Sequence, residues 1–265
     1  MLSNNLNVSF IQADIAWENV FRNLACYQVM LRSIAKNTDV LVLPELFATG
    51  FTMNVKTCAT STEQSESLRF MIITARQLDI LVIGSVIICE NDLYYNRLFA
   101  VFPNGSYQIY NKRHLFGLAN EHQHFTAGNA NEQLTVDYKH WRLRLVVCYD
   151  LRFPVWCRNH KTNPYDVLVV IANWPERRAF AWQQLLTARA IENQAYTLGV
   201  NRVGSDGNGI YHSGNSMLID ATGGVKVELI DQEGIVNIGL SAKHLKETRD
   251  SLPFLNDGDG FEITS

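Results

Sequence analysis

Three strand-length runs in this chain stop on an ionisable side chain, and that repeated arrangement limits the available folds more than any other feature. The runs are Val40-Leu41-Val42-Leu43-Pro44-Glu45, Tyr107-Gln108-Ile109-Tyr110-Asn111-Lys112, and the alternating Leu143, Leu145 and Val147 that lead into Cys148. Runs of this pattern are read as strands with at least one buried face. Their ends set a carboxylate, an ammonium and a thiol at sheet edges, widely separated in sequence. Together these are the parts of nucleophilic catalysis: a base, a cation for developing negative charge, and a nucleophile. Singly, each has a plainer use. Free cysteine is among the most buried residue types, Glu45 after Pro44 suits a loop cap, and Lys112-Arg113 suits a solvated turn. The catalytic reading rests on their joint occurrence.

Periodicity fills in the frame. A strand at 8–11 precedes a helix at 17–36, where Val20, Leu24, Tyr27, Leu31 and Ile34 recur at helical spacing. Then come a strand at 39–43, a helix at 63–78, and strands at 80–88 and 93–102 joined at Asn91-Asp92. Residues 113–140 have little periodicity and are read as a functional loop. Beyond Cys148 the pattern is a short helix, a strand at 166–171, a helix at 179–194 and a strand at 195–201. Strands at 217–220, 225–230 and 235–240 and a helix at 242–250 complete the chain. No linker or repeat interrupts it, so one domain over 1–265 is expected. Alternating helices and strands followed by hairpins predict mixed sheets with helices on their outer faces.

Composition excludes several function classes. A 265-residue chain that is 47% hydrophobic builds a sizeable core without a metal or disulfide staple. A formal charge of -3 and the lack of any Lys/Arg cluster argue against nucleic acid as a partner. The longest apolar stretch, near 80–89, falls well short of the roughly twenty residues a membrane helix needs. The N-terminus lacks a secretory pattern and the five cysteines are irregularly spaced, so a cytoplasmic protein with reduced thiols is expected. No metal is expected, despite His114, His122 and His124. The glycines at 204–209 are out of register for a dinucleotide fingerprint and are read as a loop near the site or the dimer surface.

An unperturbed cysteine is mostly protonated at neutral pH, so Cys148 needs a base or a neighbouring cation. Glu45 accepts the proton in this reading. Lys112 favours the thiolate and, with the Tyr149 backbone N–H, holds the oxyanion formed when sulfur attacks a carbonyl or nitrile carbon. Burial among Phe47, Phe51 and Phe116 would suit a carboxyl that serves as both base and acid. Asp150 and Arg152 are expected to pair beneath the nucleophile turn.

Leu43-Pro44-Glu45, Asn111-Lys112-Arg113-His114-Leu115-Phe116 and Val147-Cys148-Tyr149-Asp150-Leu151-Arg152-Phe153 resemble the three signature segments of the nitrilase superfamily of carbon–nitrogen hydrolases, in order and at suitable spacing. The resemblance implies Glu45 as general base, Lys112 as oxyanion-stabilising cation and Cys148 as nucleophile. It also implies a four-layer α-β-β-α sandwich, a homodimer and no cofactor. Glu121, ahead of Gly128, matches a second glutamate found in many members.

Ala172-Asn173-Trp174-Pro175 and the segments 187–196 and 201–209 are similar to bacterial omega-amidases. That similarity implies a small amide substrate, 2-oxoglutaramate or 2-oxosuccinamate. A carboxylated substrate asks for a cation at the far end of the pocket; Arg177 and Arg178 are the candidates, and Trp174 is a further candidate substrate-binding residue. Related sequences often carry a basic residue where this chain has Gly117. The alternatives are an N-carbamoyl-amine amidase, a nitrilase, or a catalytically silent binding homologue.

Overall fold

The computed structural model describes residues 4–263. Its first half contains β1 (Leu6–Gln12), α1 (Val20–Met30), β2 (Val40–Val42), α2 (Val55–Cys58), α3 (Glu66–Leu78), β3 (Leu81–Glu90), β4 (Leu93–Val101) and β5 (Tyr107–Asn111). The second half contains β6 (Leu134–Tyr138), β7 (Trp141–Val147), α4 (Pro154–Cys157), β8 (Val167–Ile171), α5 (Ala179–Asn193), β9 (Tyr196–Val200), β10 (Val203–Ser205), β11 (Tyr211–Ile219), β12 (Val225–Ile230), β13 (Gly234–Leu240) and α6 (Ala242–Ser251).

One sheet runs in the order β13-β1-β2-β3-β4-β5, the other in the order β10-β11-β9-β8-β7-β6, with β12 beside β11. Strands β1, β2 and β3 are mutually parallel, as are β7, β8 and β9. Antiparallel strands flank both cores. The alternation of strand side chains builds the layers. Val40 and Val42 face the core shared with the second sheet, whereas Leu41 joins Tyr27, Leu68, Phe70 and Met71 beneath α1 and α3. Trp182, Leu186 and Ala190 of α5 and Leu245 of α6 cover the second sheet. The architecture is the expected four-layer α-β-β-α sandwich of two stacked mixed sheets.

Several boundaries moved for identifiable reasons. The first helix begins at Val20, because Asn19 caps it by accepting the Arg22 N–H, and it ends at Met30 in a tighter turn. Ser65 caps α3 in the same way, so that helix starts at Glu66. Asn91 and Asp92 both have positive φ, as the tight β3–β4 hairpin requires. Two strands escaped periodicity: β6, inside the stretch read as loop, and the three-residue β10.

Parallel strands align their carboxyl ends, and side chains just beyond those ends gather in one crevice. Glu45 follows β2, Lys112 follows β5, Cys148 follows β7 and Asn173 follows β8.

Candidate active site

These four strand ends meet. Lys112 Nζ lies 3.0 Å from Glu45 Oε1 and 3.0 and 2.9 Å from the two Glu121 oxygens. All three side chains are almost wholly buried. Two buried carboxylates around one ammonium leave a net negative charge. Burial opposes the Lys112 charge, yet Glu121 and Glu45 outweigh it and hold the ammonium above its ordinary pKa. Burial raises the Glu121 carboxyl, with the Lys112 charge working against it. The Phe116 N–H also donates to Glu121 Oε2.

Glu45 is fixed at every oxygen. Asn96 Nδ2 donates to Oε1 at 2.8 Å, the Asn173 N–H to Oε2 at 2.8 Å, and Asn173 Nδ2 to the Glu45 backbone carbonyl at 2.6 Å. Leu46 follows in the left-handed region, its N–H held by Ser85 Oγ at 2.8 Å.

Cys148 adopts φ 48°, a conformation costly for a residue with a side chain, at the start of a 3-10 turn. Its Sγ lies 4.0 Å from the Asn173 carbonyl. Burial and then the Glu45 carboxylate raise the thiol well above its ordinary pKa, more than Lys112 lowers it. Lys112 does favour the thiolate, as expected, but burial and the Glu45 carboxylate outweigh it.

Cys148 and Lys112 line a cavity of about 300 Å³ whose other walls include Phe51, Phe116, Tyr149, Arg152, Trp174, Arg177, Arg178, Asp206, Asn208 and His212. Glu45 and Glu121 stand outside this lining. His212 is pushed down to about 4 by burial and the Arg202 charge, so the wall presents a neutral imidazole there.

A match to the carbon-nitrogen hydrolase family model covers residues 7–250. The chain belongs to the carbon-nitrogen hydrolase family. It is 42% identical to the omega-amidase YafV of Escherichia coli strain K12 over 97% of this chain and 98% of that protein. It is 34% identical to the 2-oxoglutaramate amidase of Bacillus subtilis strain 168, over 94% and 96%. Among solved structures, XC1258 from Xanthomonas campestris, described as a CN-hydrolase superfamily protein with an arsenic adduct in its active site, superposes with a TM-score of 0.95. That pair shares 38% identity over 99% of this chain and 100% of that one.

Within this carbon-nitrogen hydrolase the predicted site residues divide. Glu45, Lys112, Glu121 and Cys148 converge, and Tyr149, Phe51, Phe116, Trp174, Arg177 and Arg178 reach the cavity. Phe47 does not. It is fully buried on the opposite side of its loop, 5.4 Å from the Tyr27 ring and 6.3 Å from Phe70, because apolar packing beneath α1 and α3 claims it.

The expected Asp150–Arg152 pair is also absent. Asp150 instead accepts from Tyr110 Oη at 2.7 Å, the Val147 N–H at 3.0 Å and the His114 N–H at 3.0 Å, and meets His114 Nδ1 at 2.7 Å. Arg152 is thereby free to lie over the Trp174 ring, 4.8 Å from its centroid. Asp150→Ala leaves several buried donors unmatched around the nucleophile turn. It is expected to cost at least about 3 kcal/mol in urea unfolding.

Gly128 lets the loop after Glu121 close against the end of β5. A Cβ there would fall 2.2 Å from the Asn111 carbonyl oxygen, so only glycine lets the returning loop bond to Lys112. Gly117 has open space around its missing Cβ. Sequence reasoning missed Arg152, Asn173 and His212 as wall residues, placed Asp206 and Asn208 only by their loop, and missed Asn96 behind the wall. The signal for Asn96 was a polar residue inside the otherwise apolar β4 run.

Proposed function

We propose that this carbon-nitrogen hydrolase is an omega-amidase, converting 2-oxoglutaramate or 2-oxosuccinamate to ammonia and the 2-oxo dicarboxylate through a Cys148 thioester. The observation that carries this reading is Cys148 in the wall of a cavity where Lys112 is held between Glu45 and Glu121. The named activities of the relatives from Escherichia coli and Bacillus subtilis support the substrate class.

Cys148 Sγ attacks the amide carbon as its proton passes to Glu45. The carbonyl oxygen becomes an oxyanion, held by the Lys112 charge and the Tyr149 N–H. Glu45 returns the proton to the nitrogen, the C–N bond breaks and ammonia leaves. Water then attacks the thioester, giving one proton to Glu45, and the C–S bond breaks with that proton restored to sulfur. The sum is amide plus water to acid plus ammonia. Lys112 donors are already directed at Glu45 and Glu121, so it acts on the oxyanion chiefly as a charge. Glu121 holds it in place.

Arg152, Arg177 and Arg178 line the same cavity and make no ion pair among the described residues. Burial first, and then the like charge of Arg177, depress the Arg178 pKa, and its guanidinium lies 5.0 Å from the Phe116 centroid. An unneutralised cluster of this kind suits the substrate carboxylate. Arg178→Met is expected to lower kcat/KM for 2-oxoglutaramate by about tenfold to a hundredfold, while an uncharged aliphatic amide changes little. Ammonia release from 2-oxo amides, ureido acids, nitriles and uncharged amides tests the assignment. Preference for a ureido acid or a nitrile would replace the omega-amidase reading.

The working unit in this proposal is a cytoplasmic homodimer of one hydrolase domain spanning 1–265. Five free cysteines and the exposed Phe180 and Ile191 of α5 support it. Among the described residues no helix is long and apolar enough to cross a membrane. Sedimentation giving a monomer would remove the dimer.

A further inference from the structure

Asn96 touches both ends of the buried ion pair. Its backbone carbonyl accepts the Lys112 N–H at 3.0 Å, across the β4–β5 edge. Its side chain turns inward, 1% exposed, and Nδ2 donates to Glu45 Oε1 at 2.8 Å. The same oxygen accepts from Lys112 Nζ at 3.0 Å. Two donors fill the two in-plane lone pairs of Oε1. Oε2 has one donor, the Asn173 N–H. A proton arriving at Glu45 needs an unoccupied lone pair, and Oε2 retains one.

We propose that Asn96 is a positioning residue for the general base: with Lys112 it saturates Glu45 Oε1, so that the proton leaving Cys148 is delivered to Oε2. The inference rests on the amide hydrolysis proposed above. It goes beyond that reading by assigning each carboxylate oxygen a separate task, one anchored and one exchanging.

A second observation agrees. Asn96 Oδ1 is buried and has no hydrogen-bond partner. Pointing Nδ2 at a carboxylate forces Oδ1 the other way, where no donor waits, and a buried orphan acceptor is unfavourable. Strand packing alone would be better served by an apolar residue. The chemistry of the site gives the amide its use. Two carboxylates already share one ammonium, so an aspartate at 96 would add a third negative group. A second cation would hold Glu45 too weakly basic to take a thiol proton. A neutral donor anchors Oε1 without adding charge of either sign and leaves Oε2 able to accept.

The test is the pH profile of kcat/KM for ammonia release by the wild type, Asn96→Leu and Asn96→Asp, with the melting temperature of each. Removing a donor to the charged form favours the protonated form, so the acidic limb is expected to move up by about one pH unit in Asn96→Leu. The loss is then about tenfold at the acid end and shrinks as pH rises, with KM within about threefold. In Asn96→Asp the two carboxyls share a proton and the limb moves further the same way. The nearly isosteric Asn96→Asp decides the matter should Asn96→Leu fail to fold. Unmoved limbs alongside a lowered melting temperature make Asn96 a packing residue and overturn the inference alone. A wild type inactive on every amide overturns the amidase reading and this inference with it.

Discussion

Cys148→Ala is expected to abolish ammonia release, with kcat falling on the order of 10⁴-fold or more, while the protein stays folded. The nucleophile has no substitute, since Cys157 is buried and bonded to the Asp150 carbonyl. Little packing is lost, so the melting temperature should change by only a few degrees. Mass spectrometry of the wild type quenched with a slow amide should find an acyl group on Cys148 and none on the variant. An acyl-free wild type that still turns over would exclude the thioester route. The raised thiol pKa adds a further expectation. Sulfur gains its nucleophilicity only with Glu45 ready to take the proton, so Glu45 and Cys148 should act as one unit, and their double variant should lose little more than either single variant.

Lys112→Met should unfold the site as well as silence it. The change leaves the carboxylates of Glu45 and Glu121 buried without their cation, and stripping one partner from a buried pair costs roughly 3–5 kcal/mol. For a chain of this size that is a fall of roughly 6–15 °C in melting temperature. The effect also has a sign in pH. Without Lys112 the Glu121 carboxyl, already raised by burial, loses the cation that opposes that rise, so over the raised range the folded state binds more protons. Stability of the variant must then decline as pH rises, and its deficit against the wild type should be larger at pH 8 than at pH 5.5. A deficit independent of pH would mean that the carboxylates find other donors or solvent. In the wild type the raised Lys112 pKa carries the same sign, but in a higher pH range. Its stabilisation is complete below the ordinary lysine value and is lost only as pH climbs through the raised one.

The layers of the fold were legible because strand and helix periods differ. Residues 39–43 read as a strand and β2 spans Val40–Val42, and the helix at 179–194 differs from α5 by one residue. Boundaries were less legible where a capping side chain or a short edge strand decided them, as at Asn19 and β10. Glu45, Lys112 and Cys148 could be named because each closes a strand-like run, a pattern visible along the chain. Phe47 was misassigned because two phenylalanines four residues apart, Phe47 and Phe51, look alike in sequence. One packs under α1 and α3, and the other flanks the cavity 5.0 Å from Lys112 Nζ. Asp150 and Arg152 looked like a pair by charge and spacing, yet Tyr110 and His114, some forty residues earlier, took the carboxylate.

The linear order of residues determined the strand pattern, the layered architecture and which ionisable side chains close the strands, since each is written in local periodicity and in what ends a run. Which oxygen meets which donor, the burial that raises the Cys148 thiol pKa, and the cavity that Arg152 shares with Arg177 and Arg178 were decided only when the two sheets stacked. Those properties depend on distances of about 3 Å between residues tens of positions apart, and on how far burial weakens or strengthens each charge there.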